Sequence, residues 1–368
     1  DLNALIQNVR SFREFVGEQF RIIAVIKADA YGHGARKCAE VLEKDNVDMF
    51  AVAIPEEGIL LRDAGVTKPI ICFGGFWEGQ EESAFSHNIT PVIIDLENAK
   101  SLDRVARKHK AVIPVHLKID TGMGRVGFRK EDIRSTASAL VELTGLRVEG
   151  LMTHFAAADD PSQAEFTQIQ IQRFENALET FREFGHRPEF IDLANSPASV
   201  TGPPPMGNAL RPGGLLYGLE DYISIPDIPR PSVTPVLSLF SRIAQVKTIP
   251  AGESIGYGRS FTAARESLIA TIPIGYADGL PRSLSNKGHV IVNGRRVPIV
   301  GRVSMDWTTI DVTDLPAAAR GDLVTLIGRD GDEHISAVDI AQIAGTISYE
   351  ITCGVTARVP KFYNLPYQ

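Results

Sequence analysis

Eight short apolar runs alternate with stretches of helical periodicity along the N-terminal part of the chain. This alternation constrains the fold more than any other feature. The runs cover residues 22–26, 49–54, 69–73, 90–94, 113–119, 148–153, 190–194 and 209–216. Helical patterns stand before or between them, among them 1–16, 97–108, 131–143 and 163–184. In the first, Leu2, Leu5, Ile6, Val9 and Phe12 fall at helical spacing. Strands alternating with helices predict an α/β fold, a parallel sheet closed as a (β/α)8 barrel. An open doubly wound sheet is the structural rival, but no strand–GxGxxG–helix unit favours it.

The texture changes at 225–235, IPDIPRPSVTP, where four prolines read as a stiff connection. Beyond it strands dominate, at 236–249, 267–274, 289–292, 296–303, 308–312 and 323–327, with one helix at 337–344. Asn293–Gly294 between two of them is a hairpin turn signal. Two domains are therefore expected, a barrel over 1–230 and a mostly-β domain over 231–368. The length of 368 residues suits two domains better than one.

Composition removes several functional classes. A net charge of −7 gives no footprint for a polyanion, so no nucleic-acid partner is expected. No apolar run has membrane-spanning length, so no membrane partner is expected either. Cys38, Cys72 and Cys353 are scattered without metal-ligand spacing, so no metal site is expected. Sparse, odd-numbered thiols suit a cytoplasmic protein. The chain starts at Asp1 rather than Met, which is compatible with a removed leader or a preceding strand.

In a (β/α)8 barrel the active site lies at the C-terminal ends of the strands. The unusual polar residues fall there. Lys27 follows the first run in AVIKADAYGHGA, where an amine could serve as a base or Schiff-base nucleophile. A lone lysine at that position also commonly snorkels to water. Lys118, Asp120 and Arg125 close the fifth run in HLKIDTGMGRVGF, and His154 ends the sixth in LMTHFAAAD. Asn195 and Ser196 end the seventh, and Arg211 lies on the eighth in ALRPGGLLYG. Ser196 with the backbone of Gly213 and Gly214 could cradle a phosphate, because small residues let amide donors approach closely. Arg211, embedded in an apolar strand, needs an acceptor, and a pyridine nitrogen would serve. Lys118 and Arg125 would repel if left bare, so an anion is expected between them. His154 alone reads as a satisfied core histidine.

These residues carry a resemblance. The chain resembles the bacterial alanine racemases, pyridoxal 5′-phosphate enzymes with an N-terminal barrel and a C-terminal β-domain. The likeness runs through AVIKADAYGHGA, HLKIDTGMGRVGF, THFAAAD, ANSPAS, LRPGGLLYG, GESIGYGRSF, IGYADGLPR, VGRVSMDW and GTISYEITC, in the family's order. The family's strand ahead of the first helix has no counterpart in the sequence given. Ser304 stands where many relatives have cysteine.

The resemblance implies a role for each matching position. Lys27 matches the lysine that holds the cofactor covalently. Tyr31, Ser196, Gly213, Gly214 and Tyr349 match its phosphate contacts. Arg211 matches the arginine facing the pyridine nitrogen, and His154 its neighbour. Arg125 matches the residue near the cofactor phenolate and the substrate carboxylate. Lys118 matches a lysine that is often carbamylated, a change that would turn a cation into an anion able to pair with Arg125. Met305 and Asp306 match the segment meeting the substrate carboxylate, with Met305 acting through its backbone amide. Tyr257 matches the second catalytic base, and Tyr276 an entrance tyrosine.

The implied activity is two-base interconversion of L-alanine and D-alanine, supplying D-alanine for peptidoglycan. Lys27 would serve the D enantiomer and Tyr257 the L. In the family Tyr257 would reach the site from a second subunit, so a head-to-tail homodimer with shared active sites is implied. A racemase acting on serine as well as alanine is the nearest alternative, because one hydroxyl changes discrimination only modestly in an apolar pocket. A barrel-type amino-acid decarboxylase is disfavoured by GESIGYGRSF, and a non-catalytic pyridoxal phosphate carrier by the β-domain.

Overall fold

The computed structural model describes residues 1–77, 79–203, 206–219 and 228–363. Its N-terminal part is built on eight strands. They are β1 (Arg21–Val25), β2 (Met49–Val52), β3 (Ile70–Cys72), β4 (Ile89–Ile93), β5 (Ile113–Asp120), β6 (Leu146–Met152), β7 (Phe190–Asn195) and β8 (Ala209–Arg211). Each pairs in parallel with the next, and β8 pairs with β1, which closes the barrel. The expected eight-stranded α/β barrel is therefore present.

Helices cover the outer face. Leu2–Val16 is capped by the Asp1 carboxylate, which accepts from the Asn3 and Ala4 amides, and ends at Gly17 with φ 85°. It buries Leu2, Leu5, Val9, Phe12 and Val16. The buried Asn8 amide donates to the Leu216 and Thr234 carbonyls, and its oxygen accepts from the Thr234 amide. A buried amide so fully partnered ties the first helix to the segment that leaves the barrel. The later helices Leu96–Lys108, Ile133–Glu142 and Ala164–Glu183 lie within one or two residues of the sequence expectations.

The C-terminal domain is antiparallel. Its main strands are β9 (Leu239–Arg242), β10 (Gln245–Ile249), β11 (Ser267–Ile272), β12 (His289–Val292), β13 (Arg295–Pro298), β14 (Thr308–Asp311) and β15 (Leu323–Asp330). The first sheet joins β9, β15, β12 and β13; the second joins β10, β11 and β14. Asn293 and Gly294 turn β12 into β13 with φ 49° and 72°, the positive values that a two-residue hairpin turn requires. The helix Ala337–Ala344 forms as expected.

Three expected strands are redrawn. The run at 236–249 is two strands, because its halves pair with different sheets, β9 with β15 and β10 with β11. The run at 296–303 keeps its ladder only to Pro298, and the chain turns at Gly301 with φ 77°. The run at 209–216 ends at Arg211, and Gly214–Tyr217 coil into a 3₁₀ turn after Pro212–Gly213. Residues 225–227 of the proline-rich connection lie outside the described residues.

The two parts meet behind Lys27. Gly32, at φ 85°, lies so close to the C-terminal helix Ser348–Gly354 that a Cβ would sit 2.0 Å from the Thr352 carbonyl oxygen. Gly32→Ala is therefore expected to cost at least about 1 kcal/mol from backbone conformation alone, and more from the clash. Urea unfolding of the purified variant checks this. A midpoint equal to wild type would contradict the close approach.

Candidate active site

Strand periodicity sets the site. Successive side chains alternate between the barrel interior and the helix layer. Ile23, Val25, Met49, Ala51, Met152, Phe190 and Ala209 form one cluster. Their neighbours Ile22, Ala24, Phe50, Leu151, Ile191 and Leu210 pack in the main core with the helices. Counting on by twos from the first set reaches Lys27, His154, Asp192 and Arg211. The sequence placed Lys27, His154 and Arg211 at strand ends; the structure gives them a common inward parity.

Lys27 opens an unusual turn. Ala28, Asp29, Ala30 and Tyr31 are all left-handed, with φ between 52° and 56°. Left-handed conformation costs a non-glycine residue roughly 1–2 kcal/mol, so the surroundings must hold the turn. Within it the Ala30 amide donates to Ile26 and the Gly32 amide to Ala28. The Asp29 carboxylate accepts from the Ala35 amide and pairs with Lys361 of the C-terminal segment at 2.8 Å. A Cβ on Gly34 would lie 1.9 Å from the Tyr363 hydroxyl, so that segment closes directly over the turn.

The turn delivers Tyr31 to a group of hydroxyls. Its ring lies 5.2 Å from Tyr217 and 5.5 Å from Tyr349. The buried Tyr217 donates its hydroxyl to the Val25 carbonyl and stacks on His33, which props Tyr31 from behind. The Ser196 hydroxyl accepts from the Gly213 amide at 2.9 Å. A Cβ on Gly213 would stand 2.3 Å from the Tyr31 hydroxyl, and one on Gly214 2.0 Å from the Tyr349 ring. Tyr31, Ser196, Gly213, Gly214 and Tyr349 thus meet at one place, where hydroxyls and backbone amides suit an oxyanion group. Only glycine leaves that cradle open.

The opposite wall is charged. Arg211 is buried and donates to the Thr153 carbonyl at 2.7 Å and to His154 Nδ1 at 3.3 Å. It also forms an ion pair with the wholly buried Asp192. The acceptor that the sequence reading sought for Arg211 in a pyridine ring is thus already supplied in part by a protein carboxylate. Burial first, and then the charges of Arg211, Lys118, Arg125 and Lys27, together lower the His154 pKa to about 2. The imidazole is neutral, as its acceptance from Arg211 requires.

Lys118 is buried, and Gly127 packs on its stem. Burial brings its amine down to about 7, with Arg211 and Arg125 pushing the same way and Asp192 and Asp120 opposing. Asp192 and Asp120 therefore supply negative charge against the cations around Lys118. Arg125 stands exposed on the loop after β5, close enough to lower the amines of both Lys27 and Lys118.

Tyr257, Tyr276 and Met305 are solvent-facing residues of the C-terminal domain. Tyr257 is 72% exposed and, with Gly256, Arg302, Ser304, Trp307 and Thr309, lines an open depression of about 360 Å³. Met305 lies beside Tyr276, whose amide donates to the Ser304 carbonyl. Asp306 pairs with Arg358 at 2.8 Å, so its carboxylate is engaged within the domain.

Sequence reasoning missed three contributors. Asp192 lay inside an apolar run, and a carboxylate three residues before a strand end was the available signal. Tyr217, just past the run at 209–216, is a buried residue with a structural hydroxyl. Glu57 lies at the start of the helix Pro55–Asp63, and its carboxylate accepts from the Ala28 amide next to Lys27. No local pattern marked it.

Comparison with known proteins follows the same division. Residues 1–221 match the family model for the alanine racemase N-terminal domain, and 236–363 that for the alanine racemase C-terminal domain. The chain is 43% identical to the alanine racemase of Citrifermentans bemidjiense, over 99% of this chain and 97% of that protein. The crystal structure of alanine racemase from Streptomyces lavendulae superposes with a TM-score of 0.93 at 33% identity, covering 100% of this chain and 96% of that one. The Bartonella henselae alanine racemase, solved with covalently bound pyridoxal phosphate, superposes at 0.88 with 31% identity, covering 99% and 98%. Barrel, β-domain and whole-length identity agree: the chain belongs to the alanine racemase family and is an amino-acid isomerase.

Proposed function

We infer that the chain is a pyridoxal 5′-phosphate-dependent racemase that interconverts L-alanine and D-alanine by two bases and supplies D-alanine for peptidoglycan. The observation that carries the cofactor is the cradle at Gly213 and Gly214, which any Cβ would fill against Tyr31 and Tyr349. The residues present fit the group. Tyr31, Ser196, Tyr349 and the two glycines would hold its phosphate, Arg211 would face its ring nitrogen, and Lys27 would bind it through the amine. When bound, pyridoxal phosphate supplies an electron sink that acidifies the α-carbon of an attached amino acid.

The chain's own residues supply the rest. Lys27 takes or returns the α-proton on one face, and burial and nearby Arg125 favour its neutral, basic form. Arg211, whose guanidinium offers donors and no acceptor, would hold the ring nitrogen as a hydrogen-bond donor. Neutral His154 accepts from Arg211 and keeps its orientation. Arg125 and the Met305 amide bind the substrate carboxylate, and Tyr276 lines the entrance. Tyr257 serves the opposite face.

Exposure of Tyr257 on the β-domain supports its acting in the site of a second copy, in a head-to-tail homodimer. The proposed domain boundary, between residues 230 and 231, falls in the gap between the two family-model matches. Free Cys38, Cys72 and Cys353 support a cytoplasmic setting. Among the described residues no helix is long and apolar enough to cross a membrane.

Tyr257→Phe should slow α-proton exchange from L-alanine by about 10²–10⁴-fold, the usual cost of losing an acid–base group. Exchange from D-alanine should suffer far less. Mixing inactive Lys27→Ala with inactive Tyr257→Phe protein should restore activity, because half of each mixed dimer is intact. Equal losses for both enantiomers, or no recovery once subunits have exchanged, would contradict these roles.

Lys118 is expected to form a carbamate with dissolved carbon dioxide. Only the neutral amine reacts, so occupancy should rise as pH increases through about 7, where the amine loses its proton. Carbon-13 NMR in labelled bicarbonate checks this against Lys118→Ala. A signal independent of pH, or retained in the variant, would contradict it.

A further inference from the structure

The left-handed turn after Lys27 begins at Ala28, and its first amide is held by a group outside the turn. Glu57 Oε1 accepts from the Ala28 amide at 2.6 Å. Its Oε2 accepts from the Ala53 amide at 2.7 Å and from the Ile54 amide at 3.4 Å. One carboxylate thus joins the end of β1 to the turn after β2, where the helix Pro55–Asp63 starts. Hydrogen bonds to a charged acceptor are the strong ones. The arrangement is directional, because all three donors face a group that can only accept.

From this geometry we propose that Glu57 is a positioning residue for Lys27: by anchoring the Ala28 amide it fixes the left-handed turn that aims the lysine into the barrel mouth. The role rests on the assignment of Lys27 as the cofactor lysine. It does not rest on Glu57 touching cofactor or substrate.

The electrostatic setting is consistent with the anchor. Burial lowers the Lys27 amine most, then Arg125 from the loop after β5; Glu57 and Cys353 raise it, and Arg211 on β8 lowers it. Lys118 and His154, on β5 and after β6, face the same mouth. Glu57 is a carboxylate acting on Lys27 itself, so it supplies negative charge as well as a backbone clamp. Glu56, its neighbour in the same helical turn, makes a different bond, accepting from Gln80. It is the natural control.

The test compares Glu57→Ala, Glu57→Gln and Glu56→Ala in the full-length protein as purified. Residue-resolved amide hydrogen exchange is followed by mass spectrometry, together with the rate at which pyridoxal phosphate is released on dialysis. In Glu57→Ala the Ala28 amide should exchange roughly ten- to a hundredfold faster, matching loss of a hydrogen bond to a charged acceptor. The cofactor should leave faster, while amides in the last turn of the helix Pro55–Asp63 stay as in wild type. Glu56→Ala should change neither readout.

Glu57→Gln keeps the volume but offers one acceptor to amides on two sides, so either Ala28 or Ala53 must lose its partner. It decides the matter if Glu57→Ala does not accumulate as folded protein. Unchanged exchange at Ala28 in Glu57→Ala, or at both Ala28 and Ala53 in Glu57→Gln, would overturn the anchor. So would faster Ala28 exchange with wild-type cofactor release, because the turn would then not position Lys27. A wild-type protein that binds no pyridoxal phosphate would overturn the cofactor assignment instead, and the exchange measurement would still decide whether Glu57 holds the turn.

Discussion

Four cations share one barrel mouth, and their mutual repulsion is the constraint to which the site is built. Arg125 and Arg211 lower the amines of both Lys27 and Lys118, and all four cations add to burial in holding His154 neutral. Such a cluster survives only where anions are arranged against it. Asp192 pairs with Arg211 in the interior, and Asp120 and Asp192 face Lys118. Buried ion pairs seldom add much stability over an apolar core, and removing one partner leaves an unpaired charge that is costly. The cluster therefore makes sense as equipment for an anionic ligand rather than as a source of stability. A phosphate at Tyr31 and Gly213, and a substrate carboxylate near Arg125, would continue the same balance.

The second constraint is conformational. Four consecutive left-handed residues after Lys27 are unfavourable on their own, so the fold must over-determine them. It does so from both parts of the chain. Glu57 and the turn's own backbone bonds act from the barrel side. Thr352, Lys361 and Tyr363 close on Gly32, Asp29 and Gly34 from the C-terminal side. Docking of the β-domain is thus part of how the barrel holds its lysine. This gives the two-domain arrangement a physical reason beyond the role proposed for Tyr257.

Much of this was legible in sequence because strand burial leaves a simple record. Eight apolar runs separated by helical patterns gave the barrel, and the polar residues at their ends gave most of the mouth. Local burial misled where it was not specific to strands. Residues 209–216 are buried and, Arg211 apart, without charge, yet Pro212 and the glycine pair bend the chain into a 3₁₀ turn. The two halves of 236–249 differ only in which sheet they join, which no local pattern records. The left-handed turn was invisible too: Ala-Asp-Ala-Tyr carries no residue that prefers positive φ strongly. Its supports, Glu57 and Lys361, are distant in sequence and became visible only when the chain was folded. Asp192 was hidden because a single carboxylate in an apolar run has no period to mark it.

The central claim is that Lys27, held by this turn, carries the cofactor. Borohydride reduction of the purified protein followed by peptide mapping tests it most directly. The account predicts a pyridoxyl-phosphate adduct on the peptide that contains Lys27, with loss of the yellow colour. An adduct confined to another lysine, Lys118 included, would contradict it.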